Sequence, residues 1–245
     1  MKYGLTDATK TAEYGVVLHR IRALREIPRW GVHKGDLGGW IENDYNLSQY
    51  GDAWVGRNAV ISGDAEVYDD AAVGGNAQVY GDARVFGKAQ VFGNAQVSGN
   101  AQVSGTAEVF GNAQVSGGAE VRGDSRVYGD ARVSGIARVC EKALVFGKAW
   151  VFGNAQVSGN ARIGGEAVVS SSADYAVFKN TWSSYRWFTY TRSNHMWMVG
   201  CFYGTGEELV EKAYADSEKS GRCYEATVRY VEAIESATAK EGGKK

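Results

Sequence analysis

From residue 51 onward, apolar and polar positions recur every six residues: GDAWVG RNAVIS GDAEVY DDAAVG GNAQVY GDARVF GKAQVF GNAQVS, continuing in sixes without a slip. Ala holds every sixth position from Ala53 to Ala167, twenty sites with Ser125 the one exception, and two residues later stands Val, or Ile at Ile61 and Ile163. Such a hexad offers a short extended run with alternating side chains, so that Ala53 and Val55 share an inner face while Trp54 and Gly56 point outward. The other two positions are mostly Gly followed by Asn, Asp or Lys, residues that tolerate left-handed backbone angles and turn the chain at little cost. One hexad cannot bury its own Val, so the core must come from coils stacked on one another.

The order V-x-G-[N/D]-A-x resembles the hexapeptide repeat of left-handed parallel β-helix proteins, in which three hexads make a triangular coil. The resemblance covers about half the chain. It implies a mainly β fold with a left-handed parallel β-helix of about six to seven coils, a prism about 30 Å long at a strand spacing of roughly 4.8 Å. Three hexads per coil would stack residues eighteen apart. The outward site after each Val then reads Gly56, Gly74, Phe92, Phe110, Tyr128, Phe146 and Gly164 along one edge. An apolar stripe on a soluble protein marks a contact surface, so Phe92, Phe110, Tyr128 and Phe146 are expected to meet another subunit or the C-terminal segment. The flat-face sites place Gln78, Gln96 and Gln114 in one ladder and Glu66, Arg84, Gln102, Glu120, Arg138 and Gln156 in another, amide and charge ladders of structural role.

The ends break the repeat, as caps over unpaired strands should. Residues 1–50 read as an N-terminal β cap: Val16–Leu24 alternates as a strand, Pro28 ends it, and Gly35–Glu42 leads into the first coil. Leu47 falls at the Ala phase and Gln49 at the Val phase. The solenoid takes residues 51–173. Residues 174–206 form an aromatic β-hairpin, since YRWFTYTR and MWMVGCFY flank SNH. Residues 207–245 hold two helices and a tail: Thr205 and Glu208 have capping-box spacing, the first helix runs to Gly221, the second spans Cys223–Ala239, and EGGKK is a frayed end.

Composition narrows the chemistry. Thirty-three Gly against one Pro exclude collagen-like and linker-like chains. Twenty-seven Lys and Arg against 28 Asp and Glu leave a net charge of -1, with no electrostatic footprint for nucleic acid or an anionic membrane. No apolar run is long enough to span a bilayer, which points to the cytoplasm. Cys140, Cys201 and Cys223, odd in number and widely spaced, fit reduced thiols. Asp64, Asp69 and Asp70 lack the spacing of a calcium-binding β-roll, and no metal is expected.

The segments LHRIRAL, KGDLGGWIE and NLSQYGDAWV, with the WSS and FTYTRSN stretches near the C-terminus, resemble uncharacterised hexapeptide-repeat proteins of phages, prophages and enterobacteria, often labelled acyltransferases. That resemblance implies a phage or prophage source and a bacterial host cell. Acyltransferases with this repeat act as trimers, with a His base between adjacent prisms and a loop protruding from the solenoid. Here residues 51–170 contain no His and no inserted loop; His19, His33 and His195 all lie outside. The reading is therefore a non-enzymatic structural or interaction protein without a cofactor, a homo-oligomer with a trimer favoured. Its binding surface is assigned to Arg186, Trp187, Tyr190, Arg192, His195 and Trp197, for a host protein or a small nucleotide held by stacking and charge. The alternative is a trimeric acyltransferase using acyl-CoA, with His33 or His195 as base.

Overall fold

A computed structural model gives the fold and describes residues 1–12 and 15–241; the last four residues of the expected tail lie outside the described residues. The chain divides into two compact units, 1–174 and 175–245.

The first unit is a β-solenoid. After three cap strands, β1 (Tyr3–Thr11), β2 (Val17–Ala23) and β3 (Leu37–Ile41), twenty two-residue strands follow at six-residue intervals, from β4 (Trp54–Val55) to β23 (Val168–Val169). Every third strand joins the same parallel sheet, giving three sheets and, with β3, about seven coils. From β4 onward, pairing between successive coils is in register at eighteen residues: Gln78 faces Gln96, which faces Gln114, and Glu66 faces Arg84. Each strand is short because the corner follows at once. All seventeen corner glycines have φ between 62° and 73°. They are also crowded: a Cβ on Gly93 would lie 2.9 Å from the Gly111 carbonyl oxygen. Only Gly meets both demands without strain, although Asp69 and Glu141 adopt the same left-handed angles.

The hexad Ala and Val or Ile side chains fill the interior, none more than 1 % exposed. Ser125 is tolerated there because its hydroxyl donates to the Arg122 carbonyl at 2.9 Å. Outside, ladders run along the stack. Asn58, Asn76, Asn94 and Asn112 each donate to the next side chain at 2.9 to 3.2 Å, and the series ends on the Asp130 carboxylate. Aligned amides of this kind polarise one another in one direction. Glu108 and Arg126 pair at 3.0 Å, Glu120 and Arg138 at 3.5 Å.

The cap differs from the sequence reading in two ways. β1 pairs antiparallel with β2, and β2 with β3, so the cap extends one face of the prism with a strand that the hydrophobic pattern did not mark. The first coil is also longer: Trp40 pairs with Val60 and Leu47 with Val67, twenty residues apart. Leu47 therefore sits opposite a Val position and not the Ala position. Gln49 serves the cap, its Oε1 accepting from the Lys2 backbone at 2.7 Å. Burial of Lys2 lowers its ammonium pKa from 10.5 to about 8, with Arg25 adding to the shift.

In the second unit the expected hairpin is the centre of a four-stranded antiparallel sheet, β24 (Tyr175–Lys179), β25 (Trp187–Thr191), β26 (Met196–Val199) and β27 (Phe202–Gly204), in that order. Phe188, Tyr190, Trp197 and Val199 pack with Leu209, Val228 and Val231 of two helices, α1 (Gly206–Asp216) and α2 (Glu218–Glu241). The capping box forms: Glu208 N–H donates to Thr205 Oγ1 at 3.2 Å, and Thr205 N–H to Glu208 Oε2 at 2.8 Å. The helices part at Ser217, whose φ of -172° is extended, and not at Gly221. Gly221 lies inside α2, where a Cβ would come within 2.1 Å of the Tyr214 ring. Its role is room for that ring, which is why it is glycine without ending a helix.

Replacing Ala113 by Leu should cost about 1–3 kcal/mol in denaturant titration, because the interior at that coil has no space to give; a neutral result would mean that Ala does not face inward. Lys2→Met should raise the melting temperature at pH 7. The folded state disfavours the Lys2 charge, so the penalty is full below pH 8 and fades toward 10.5. The stability gap between Lys2→Met and wild type should accordingly close as pH rises through that window.

Candidate functional site

The turn between β25 and β26 is built by its own polar residues. Thr191 Oγ1 donates to Asn194 Oδ1 at 2.5 Å, which also accepts from the Met196 N–H at 3.3 Å. His195 follows with φ of 54°, a left-handed residue that closes the turn. Behind it, Tyr190 and Trp197 are a cross-strand pair with ring centroids 5.0 Å apart. α2 brings Val231, Glu232 and Glu235 to this pair, and the start of α1 brings Thr205, Gly206 and Glu207. Together they line a cleft of about 370 Å³.

At its centre the Tyr190 hydroxyl lies 2.8 Å from Glu235 Oε2 and 2.9 Å from His195 Nδ1. A phenol has one proton; given to the carboxylate, it leaves His195 Nδ1–H to donate to the phenol oxygen. Burial first, then the hydrogen bond to Glu235 and its charge, hold the Tyr190 phenol above its ordinary range. Tyr190 is thus held in its neutral, hydrogen-bond-donating form. Arg192 Nε stands 3.9 Å from the other Glu235 oxygen, and the His195 side chain is 74 % exposed. Glu207 and Glu232 line the same cleft, so three acidic residues surround it, with the buried Tyr190 and Trp197 beneath.

Of the six residues assigned to binding, four meet here: Tyr190, Arg192, His195 and Trp197. Arg186 and Trp187 do not. Strand alternation turns Trp187 to the face opposite Tyr190, where the Lys179 ammonium lies 5.6 Å from its ring. Arg186 stands at the far end of β25 from Arg192, beside Gly200. The carboxylates were not singled out from the sequence. Glu235 lies four residues after the buried Val231, a spacing that puts both on one helix face; that was the available signal.

The other candidates stand apart. His33 is 76 % exposed on the cap loop, its Nδ1 3.7 Å from Asp36 Oδ2. Cys140 lies on a coil edge, where burial pushes its thiol up. The four residues of the aromatic edge stack as one column: Phe92, Phe110, Tyr128 and Phe146 have successive centroid separations of 4.9, 4.9 and 5.3 Å with rings parallel within 9°. No helix among the described residues is long and apolar enough to cross a membrane.

The repeat geometry agrees with what the chain is similar to. Residues 77–93, 89–105 and 155–171 match the YdcK beta solenoid repeat. The matches fall on consecutive and later coils of the same prism and leave both ends outside them. No curated protein matches the chain.

Glu235→Ala should destabilise the C-terminal unit by about 1–3 kcal/mol, because the half-buried Tyr190 hydroxyl loses its acceptor. Denaturation followed by tryptophan fluorescence checks this; an unchanged transition would mean that the bond contributes nothing.

Proposed function

We propose that this β-solenoid repeat protein is a non-enzymatic interaction protein whose C-terminal unit binds a partner carrying a cationic group. The observation that carries the reading is the cleft lined by Glu207, Glu232 and Glu235 over the buried Tyr190 and Trp197: three acidic residues around one cleft attract a cation. A nucleotide phosphate would meet those carboxylates, so a host protein's Lys or Arg side chain is the better ligand. The solenoid contributes stiffness. Its hexads run without an inserted loop or a His from residue 51 to 170, which supports a structural part in place of catalysis. A phage or prophage source and a bacterial host cytoplasm belong to this reading through the likeness of the chain ends to such proteins. Self-association, as a trimer, is assigned to the aromatic column.

Calorimetric titration of the whole protein with agmatine, AMP and acetyl-CoA separates the alternatives. Agmatine should bind, and Glu232→Gln with Glu235→Gln should abolish that binding. Saturable binding of acetyl-CoA would instead favour a trimeric acyltransferase, and silence from agmatine would overturn the cation site. For the column, Phe110→Ser with Tyr128→Ser should lower the mass seen by light scattering; an unchanged mass would remove it as the self-association surface.

A further inference from the structure

The three sheets of the solenoid differ in charge. On the sheets that contain Gln102 and Glu108, hexads without a charged residue never occur on successive coils. On the third sheet three such hexads stand in a row, GNAQVY, GNAQVS and GNAQVS, residues 75–80, 93–98 and 111–116. Their outward side chains are amides, hydroxyls and one phenol. The next coil brings one charge of each sign, Asp130 and Arg132.

Two amide columns run through this uncharged stretch, and they are used differently. The corner amides bond to one another, Asn76 Nδ2 donating to Asn94 Oδ1 at 3.1 Å. Gln78, Gln96 and Gln114 pair in register on the flat face, yet their side-chain amides have no hydrogen-bond partner among the described residues. Gln78 and Gln114 are exposed and Gln96 half-buried, so all three reach solvent. A primary amide sets an acceptor beside a donor, which two neighbouring hydroxyls of a sugar match with one bond given and one accepted. Aromatic rings bound the stretch. Tyr80, on its first coil, is 38 % exposed. Trp150 stands four coils further on, about 19 Å away along the stack. Its Nε1 donates to Ser134 Oγ at 3.2 Å, and its ring stacks on Phe152 with centroids 4.3 Å apart. The indole is nevertheless 43 % exposed. With its one donor spent, what it offers solvent is apolar ring held in a fixed orientation.

We propose that this face binds an uncharged, extended, β-linked glycan lying along the prism axis. Tyr80 and Trp150 take the C–H faces of sugar rings toward either end, and Gln78, Gln96 and Gln114 take the hydroxyls between them. An extended β-linked hexose chain advances by about one coil spacing per sugar, so successive sugars meet successive glutamines. Exposed amides and ring platforms hold a neutral ligand without needing depth or charge. A charged polymer or peptide finds no row of opposite charge here, and Asp130 beside Arg132 favours neither sign.

The test is a titration of the isotopically labelled full chain with cellohexaose, mannohexaose and chitohexaose, read on the seven tryptophan indole N–H signals. The Trp150 signal is identified by its absence in Trp150→Ala. At least one hexasaccharide should shift it saturably, with an affinity that added salt leaves unchanged. That sugar should bind more weakly by about two- to tenfold in each of Tyr80→Ala and Trp150→Ala, and by a similar factor in Gln96→Ala. All three side chains reach solvent, so the melting temperature should stay near that of wild type. The matching disaccharide, too short to reach both rings, should bind at least tenfold more weakly. An unmoved Trp150 signal with all three hexasaccharides would overturn the proposal, as would binding that survives Trp150→Ala and Tyr80→Ala undiminished. Equal affinity for disaccharide and hexasaccharide would overturn the placement along the axis.

Discussion

Backbone pairing between residues eighteen apart is the constraint on which the rest of the solenoid depends. Once Val97 faces Val115 and Ser98 N–H reaches the Val115 carbonyl at 2.9 Å, each side chain meets its own kind one coil away. Like-with-like stacking then decides what each column can be. Inside, only small or medium apolar groups fill a narrow prism at native density, hence Ala and Val. At the corners, the turn and the next coil's backbone leave room for glycine. Outside, amides and rings gain from alignment, while charges must alternate, as Glu66 with Arg84 and Glu120 with Arg138 do.

A structure built by repetition makes its exceptions informative. Ser125 in the Ala column is explained by its own hydrogen bond to Arg122. Gly164, at the C-terminal end of the aromatic edge, lies under the Phe146 ring, where a Cβ would come within 2.4 Å. Gly74, at the other end of the same edge, has no such neighbour. Two glycines of one column thus have opposite causes, contact in one case and vacancy in the other. The C-terminal unit is an exception of another kind: it replaces columns of identical residues with one set of unlike groups, a phenol, an imidazole and a carboxylate at hydrogen-bond distances beside an indole. Recognition needs such asymmetry, which a repeat of six residues does not supply.

The periodic part of the molecule was legible because one residue type at one phase has one role. Ladders of Gln78, Gln96 and Gln114, and of Phe92 through Phe146, follow from counting in eighteens. Where periodicity fails, so did the reading. β1 lacks clear alternation because Tyr3 is its one fully buried residue and neither face is covered along its length, and the twenty-residue first coil shifts Leu47 to a Val position through two residues that no local signal marks. The hairpin was visible, but β24 and β27 join it through pairings that turn residues do not reveal. The site was half legible. Tyr190, His195 and Trp197 lie within eight residues of one another, whereas Glu235 arrives from a helix 45 residues away. Long-range convergence of this kind leaves no trace in spacing.

The register itself is open to a direct measurement. With Cys140, Cys201 and Cys223 replaced by Ser, a cysteine pair at Ser98 and Ser116 places two thiols on adjacent coils, with Cα atoms about 4.8 Å apart, inside the range that a disulfide spans. A pair at Ser98 and Ser134 places them two coils apart, at about twice that distance. Mild oxidation of each folded variant, followed by mass spectrometry, should show the first pair bonded and the second reduced. A reduced first pair, or a bonded second one, would contradict the eighteen-residue stack and every column derived from it.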